Sequence, residues 1–295
     1  MVSRLLPTRA RSLSVGYADP VRPTSEPDPI MTEPASSEPA PLLSVVIPVH
    51  DEADSIGPLL AEIVAVLRPL LAFEIIVIDD GSRDATSARL GECRLAMPEL
   101  RILRHAACNG QSAALCSGID AARADWIVTL DGDGQNDPAD IPRLLAARDR
   151  AVESGHADDR QTDHGQHTAI GLVCGWRIHR LDPASKRLAS RIANAVRRRM
   201  LHDDSPDTGC GLKLIERRAF LALPRFDHMH RYLPALIRRA GRRTLDIPVG
   251  HRPRVVGRSK YGNWQRAWVG LFDLIGVAWL IRRTLRPHVE ELPPP

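Results

Sequence analysis

Three carboxylates crowd into one short stretch of this sequence. In WIVTLDGDGQNDP, Trp126 to Pro138, an apolar run ends in Asp131, Asp133 and Asp137. Like charges a few ångströms apart repel unless something positive lies between them. The stretch therefore implies a bound cation, a cationic ligand or a solvated acidic loop. Oxygen ligands suit a hard divalent ion such as Mg2+ or Mn2+, which takes one or two carboxylates and leaves its other positions to water and phosphates. Asp131 and Asp133 stand at i and i+2, and on extended backbone such residues point to the same side. A cation held there would neutralise them and clamp a diphosphate as a leaving group.

A second acidic stretch, DDGSRDAT, puts Asp79 and Asp80 after another apolar run, with Gly81 for a tight turn and Ser82 or Asp84 able to cap a following helix. Carboxylates there can accept from a ribose hydroxyl or a base N–H, or serve the turn alone. Neither G-x-x-x-x-G-K-[ST] nor a G-x-G-x-x-G after the first strand is present. Their absence counts against a nucleoside triphosphatase and an NAD enzyme.

The elements that must position these residues are legible from Leu42 onward. LLSVVIPV, FEIIVI, LRILRH and WIVTL read as strands, and AIGLVCG as a later one. Between them lie helical patterns: Ile56, Leu59, Leu60, Ile63, Val64 and Leu67 after the cap candidates Asp54 and Ser55, then a helix around Thr86 to Cys93, then GQSAALCSGIDAA. Strands alternating with helices predict an α/β fold with a mostly parallel central sheet and helices on both faces. Such sheets bind ligands beyond the carboxyl ends of their strands. PVHDE, DDGSRDAT, NGQ and DGDGQ all sit at those ends.

Other segments carry less. Residues 1 to 41 are rich in Pro, Ser, Thr and charge and read as disordered. Their first 18 residues hold arginines and no acid up to Tyr17, a faint likeness to a targeting peptide; a start at Met31 reads equally well. ESGHADDRQTDHGQHT, residues 153–168, reads as a solvated loop because His156, His164 and His167 follow no ligand spacing. PASKRLASRIANAVRRRML, residues 183–201, repeats Leu188, Ile192 and Val196 beside many arginines. It fits a helix on an anionic membrane or phosphate, and equally an ordinary docked helix.

The bulk numbers set bounds. The 295 residues carry a net charge of +4, with 43% hydrophobic and 26% charged residues. That is a mild basic lean, not the footprint of a nucleic-acid binder. Five scattered cysteines without a C-x-x-C pair argue against a zinc ribbon or a disulfide framework and fit a reducing cytosol. The most apolar run, Ala267 to Ile281, has 15 residues and contains Asp273, short of the roughly 20 that a span requires.

VVIPVHDE, IVIDDGSRDAT, NGQSAAL, LDGDGQNDP, GWRIHRLDP and HRPRVVGRSKYG resemble the motifs of family 2 glycosyltransferases of GT-A fold. The likeness runs from about Leu42 to Thr284 and is strongest to dolichol-phosphate mannosyltransferases and undecaprenyl-phosphate sugar transferases. It implies a Rossmann-like nucleotide-diphospho-sugar transferase fold, with a catalytic domain at 42–250 and an acceptor and membrane-proximal segment at 251–295. It places Pro48, His50 and Glu52 at the base and ribose, with Asp79, Asp80 and Asp131 also on the donor. His50 and Asp51 stand where the family usually has tyrosine and asparagine, so stacking on the base differs. The metal falls on Asp131, Asp133 and Gln135, and catalysis on Asp133, Arg254 and Lys260. Arg177, Arg180, Arg254 and Lys260 would meet the acceptor phosphate.

The implied reaction is an inverting displacement from a nucleotide-diphosphate sugar onto polyprenyl phosphate. Rival expectations are a saccharide or protein hydroxyl as acceptor, and a non-catalytic nucleotide-sugar-binding protein. Trp264, Trp268, Phe272 and Trp279, with Arg282, Arg283 and Arg286 following, suit a bilayer interface. Peripheral attachment at the cytoplasmic face of the plasma membrane is therefore expected.

Overall fold

The computed structural model describes residues 40–153, 169–178, 194–253 and 263–283. Arg180, Arg254, Lys260, the His-rich loop and the N-terminal segment lie outside them. The described residues from 40 onward belong to one compact unit.

Seven strands form one sheet: β1 (Leu43–Val49), β2 (Phe73–Asp79), β3 (Leu100–Arg104), β4 (Trp126–Thr129), β5 (Ile170–Arg177), β6 (Lys213–Glu216) and β7 (Arg243–Val249). Their order is β3-β2-β1-β4-β6-β5-β7. All run parallel except β6, which is antiparallel to both β4 and β5. The reversal brings the start of β6 to the edge where β4 and β5 end.

The continuous apolar runs follow from burial on both faces. On one face Val45 and Ile47 pack with Ile56, Leu60 and Ile63 of α1 (Ala53–Leu67), Leu90 of α2 (Thr86–Ala96) and Leu144 of α4 (Ile141–Glu153). On the other, Val46, Ile76 and Ile78 meet Leu115 and Ile119 of α3 (Gln111–Ala121), Phe220 of α6 (Arg217–Leu221) and Leu236 of α7 (Leu233–Arg239). Each such aliphatic side chain contributes about 1.5–3 kcal/mol on burial. Leu274, Val277 and Ala278 of α8 (Asn263–Arg282) join this second core, while Leu271, Phe272, Ile275 and Trp279 stay exposed on its other side. Among the described residues no helix is long and apolar enough to cross a membrane.

Several local expectations change. The N-cap of α1 is Glu52, with Asp54 already inside the first turn. In α5, described over residues 194–201, the basic face is not wholly solvated: Val196 is exposed and Arg197 is buried. Arg197 reaches the Thr208 hydroxyl, the Ser205 carbonyl and Asp203. Burial lowers its pKa, against the pull of Asp203.

Candidate active site

The sheet's carboxyl edge is where the polar motifs converge. β4 stops at Thr129, so Asp131 and Asp133 stand in a turn rather than on extended backbone. The turn is held from within: Asp133 accepts from the Gln135 amide at 3.1 Å, and the buried Asn136 accepts from the Asp131 amide at 3.3 Å. Outside it, the Ser55 hydroxyl lies 2.9 Å from both the Gly132 carbonyl and the Glu52 carboxylate. The Arg252 amide donates to the Gln135 carbonyl at 3.0 Å, and its guanidinium reaches Asp137 and Glu62. Gly211, at the mouth of β6, lies so close that a Cβ there would overlap the Asp131 carboxylate.

Asp131 accepts from Gln111 at 2.8 Å. Burial and the neighbouring charge of Asp133 push it above the usual carboxylate range, against the pull of Lys213 and Arg177. Two mutually repelling carboxylates with hard oxygen donors fit a divalent cation. Among the described residues no group of three or more His, Cys, Asp or Glu side chains converges as a metal cage. An ion held by Asp131 and Asp133 would have positions left for phosphate oxygens and water.

Asp79 and Asp80, expected at the nucleotide, brace the loops that follow β2 and β3. Asp80 accepts from His105 at 2.7 Å, the amides of Asn109 and Gly110 at 2.9 and 2.8 Å, and Cys108 at 3.3 Å. Burial alone would raise its pKa; these donors outweigh it and hold the group below its ordinary value. Asp79 takes the Ser82 amide at 2.8 Å and the Ser87 hydroxyl. Gly81 turns above them at φ 68°. Asp80 thus fixes Gly110, Gly110 opens α3, and the first residue of α3, Gln111, holds Asp131. Asp80→Ala removes the acceptor of the Asn109 and Gly110 amides in a partly exposed loop and is expected to destabilise the fold by about 2 kcal/mol, read by denaturant melting.

Two cavities open along this edge. One, of about 470 Å³, lies over the ends of β1 to β3 and is lined by His50, Asp51, Gly81, Arg83, Arg104 and Cys108. His50 lies 2.8 Å from the Asp80 carbonyl through Nδ1. A carbonyl only accepts, so Nδ1 carries the proton and Nε2 is left towards Asp51. Pro48 lies within β1, opposite Ile78.

The other cavity, of about 380 Å³, lies beside Asp131 and includes Arg177, Asp207, Lys213, His230 and Arg231. Arg177 forks onto Asp207 at 2.7 and 2.9 Å. Burial opposes its charge, but the fork with Asp207 outweighs it and raises the pKa. The sequence reading missed Lys213, His230 and Arg231. A lysine on a four-residue strand and a histidine in a short turn carry no local signal.

His230 sits in the turn Met229–Arg231 with Nδ1 2.7 Å from the Ser112 hydroxyl. That turn is tied to α8 twice, through His228 with Asp273 at 3.0 Å and through the Tyr232 hydroxyl donating to the Gly270 carbonyl at 3.1 Å. Burial and the charges of Arg231, Lys213 and His228 push the His230 pKa down to about 3. Below its unfolded pKa near 6.5 the unfolded chain takes up a proton that the folded chain refuses, so stability falls as pH drops from about 6.5 towards 3. Thermal melts at about pH 7.5 and 5 should show a smaller acid loss in His230→Gln than in the parent.

Residues 44–223 match the family described as Glycosyl transferase family 2. The chain is 34% identical over 255 residues to the dodecaprenyl-phosphate galacturonate synthase of Rhizobium johnstonii, covering 83% of this chain and 69% of that protein. It is 32% identical over 236 residues to the undecaprenyl-phosphate 4-deoxy-4-formamido-L-arabinose transferase of Pseudomonas fluorescens, covering 79% and 64%. The chain thus spans about two thirds of the length of these relatives. Among solved structures, it resembles a mannosyltransferase from Pyrobaculum calidifontis in complex with GDP-Man and Mn2+ (TM-score 0.57, 20% identity, 87% of this chain and 70% of that one). A second likeness is glucosyl-3-phosphoglycerate synthase from Mycobacterium tuberculosis with Mn2+ and UDP-glucose (TM-score 0.54, 18% identity, 80% and 79%). These two establish the shared GT-A fold. With the family matched over most of the sheet and relatives at a third identity across four fifths of its length, the chain belongs to glycosyl transferase family 2.

Proposed function

We propose that this chain transfers a glycosyl group from a nucleotide-diphosphate sugar to a polyprenyl phosphate, with inversion, at the cytoplasmic face of the membrane. One observation carries the reading: the Asp131–Asp133 turn stands at the end of β4, with a cavity at Asp131 and another over the ends of β1 to β3. The names of the two relatives, both polyprenyl-phosphate enzymes, support the acceptor.

The first cavity, with His50 and Arg83, would hold the nucleoside end of the donor. A divalent cation on Asp131 and Asp133, Mg2+ or Mn2+, would supply charge to stabilise the departing diphosphate. The glycosyl group would then lie over the cavity shared by Asp131 and Arg177, where Arg177, fixed by Asp207, presents a rigid positive charge. A phosphate acceptor is already largely ionised near neutral pH, so the chain has no proton to remove and works by positioning. Arg180, Arg254 and Lys260 are proposed to share the acceptor phosphate. The exposed apolar face of α8, Leu271, Phe272, Ile275 and Trp279, supports peripheral attachment at a lipid surface.

The test is incubation of purified protein with a panel of nucleotide sugars, Mg2+ or Mn2+, and undecaprenyl phosphate, with mass detection of the lipid product. A glycosylated lipid phosphate is the expected result. Transfer only to saccharide or protein hydroxyls would overturn the acceptor assignment.

A further inference from the structure

Lys213 has no role in the reaction as described above, yet its placement demands one. It opens β6, opposite Thr129 of β4 and Cys174 of β5, and its reversed strand delivers it to the active edge. Only 4% of it is exposed, and it lines the cavity beside Asp131. Burying an ammonium is costly by several kcal/mol unless it is paired. Lysine brings three donors, and its hydrogen bond among the described residues goes to the Cys210 carbonyl. No carboxylate among those residues comes within ion-pair distance of it.

The acids that share the cavity are already engaged. Asp207 is taken by the Arg177 fork, and Asp131 accepts from Gln111 and faces Asp133. Arg231 lines the same cavity, and among the described residues its guanidinium has no hydrogen-bond or ion-pair partner. His230, beside it, is held neutral and adds no charge. Asp131 feels the charge of Lys213 across the cavity, but among the described residues no carboxylate makes an ion pair with either Lys213 or Arg231.

We propose that Lys213 and Arg231 receive a negatively charged substrate group at the transfer site, either the phosphate of the lipid acceptor or a carboxylate on the donor sugar. The proposal rests on the sugar-transfer reading, because the group it names is a substrate's. A substrate anion in this cavity would give Lys213 the direct ion pair that it lacks among the described residues.

The test uses Lys213→Met, close in shape and uncharged, and Lys213→Arg, which keeps the charge. Binding is measured by calorimetry with Mn2+ present and without turnover, using farnesyl phosphate, UDP-galacturonate and UDP-galactose as probes. Lys213→Met should weaken binding of the anionic probe by about 10- to 100-fold, Arg231→Gln should act in the same direction, and Lys213→Arg should restore most of the loss. Melting temperature should hold or rise in Lys213→Met, since an unpaired buried charge has gone. A loss confined to farnesyl phosphate assigns the wall to the acceptor. A narrowed margin of UDP-galacturonate over UDP-galactose assigns it to the donor.

Unchanged binding of all three probes in Lys213→Met overturns the proposal while leaving the transferase reading intact. So does a lowered melting temperature with binding that Lys213→Arg fails to rescue, which marks a structural lysine. A parent protein that binds none of the probes overturns the proposal, and a parent that also glycosylates no acceptor overturns the transferase reading with it.

Discussion

Asp133→Ala is expected to lower glycosyl transfer by about 10³-fold or more while leaving the melting temperature within a few degrees of the parent. The carboxylate lies in a surface turn, so the aliphatic core on either sheet face is untouched by its removal. Its hydrogen bond to the Gln135 amide at 3.1 Å is lost, at a cost of about 1 kcal/mol. What disappears is half of the charge available to hold a divalent ion. Asp131→Ala should behave alike, with weaker donor binding in metal-containing buffer. Steady-state transfer at saturating Mn2+ decides the matter: near-parental turnover by either variant would rule out the metal clamp.

Gly211→Ala is expected to cost about 10²-fold in transfer, although it adds one methyl group and removes nothing. That methyl would occupy the space of the Asp131 carboxylate. The Gly211 backbone has little freedom to retreat, because its carbonyl accepts from the Thr129 hydroxyl at 2.7 Å and β6 is paired on both sides. The carboxylate must therefore swing away, and a displacement of about 1 Å in a group proposed to hold the metal and donor is enough for a loss of that size. Raising the Mn2+ concentration should recover part of the activity of Gly211→Ala and none of that of Asp133→Ala. Equal failure at all metal concentrations would place the damage elsewhere.

The first half of the fold was legible because β1, β2 and β4 are covered on both faces and so read as unbroken apolar runs. Their spacing with α1 to α3 fixed the parallel sheet, and the polar motifs marked its working edge. β6 and β7 escaped notice for opposite reasons. β6 is four residues long and begins with a lysine, which looks like a surface residue until the tertiary fold buries it. β7 is an edge strand, half-buried along most of its length and carrying Pro248, so its apolar pattern is weak. At the site, residue types were readable but their partners were not. Asp131 and Asp133 were placed on extended backbone, whereas the chain turns after Thr129. The partners of Asp79 and Asp80, in the neighbouring loops and at the head of α2, were likewise not readable. Long-range pairs such as Arg177 with Asp207, or His230 with Ser112, are separated by 30 and 118 residues, beyond any local spacing rule.

Asp273, the charge that interrupts the most apolar stretch of the sequence, has a consequence beyond its bond to His228. Together with the Tyr232 hydroxyl it ties α8 to the turn that carries His230 and Arg231. A lipid surface pressing on Phe272 and Trp279 and a ligand settling against Arg231, both as proposed, would therefore bear on the same few peptide units. Thermodynamic reciprocity would then apply: whatever factor membrane adsorption added to ligand affinity, bound ligand would return to membrane adsorption.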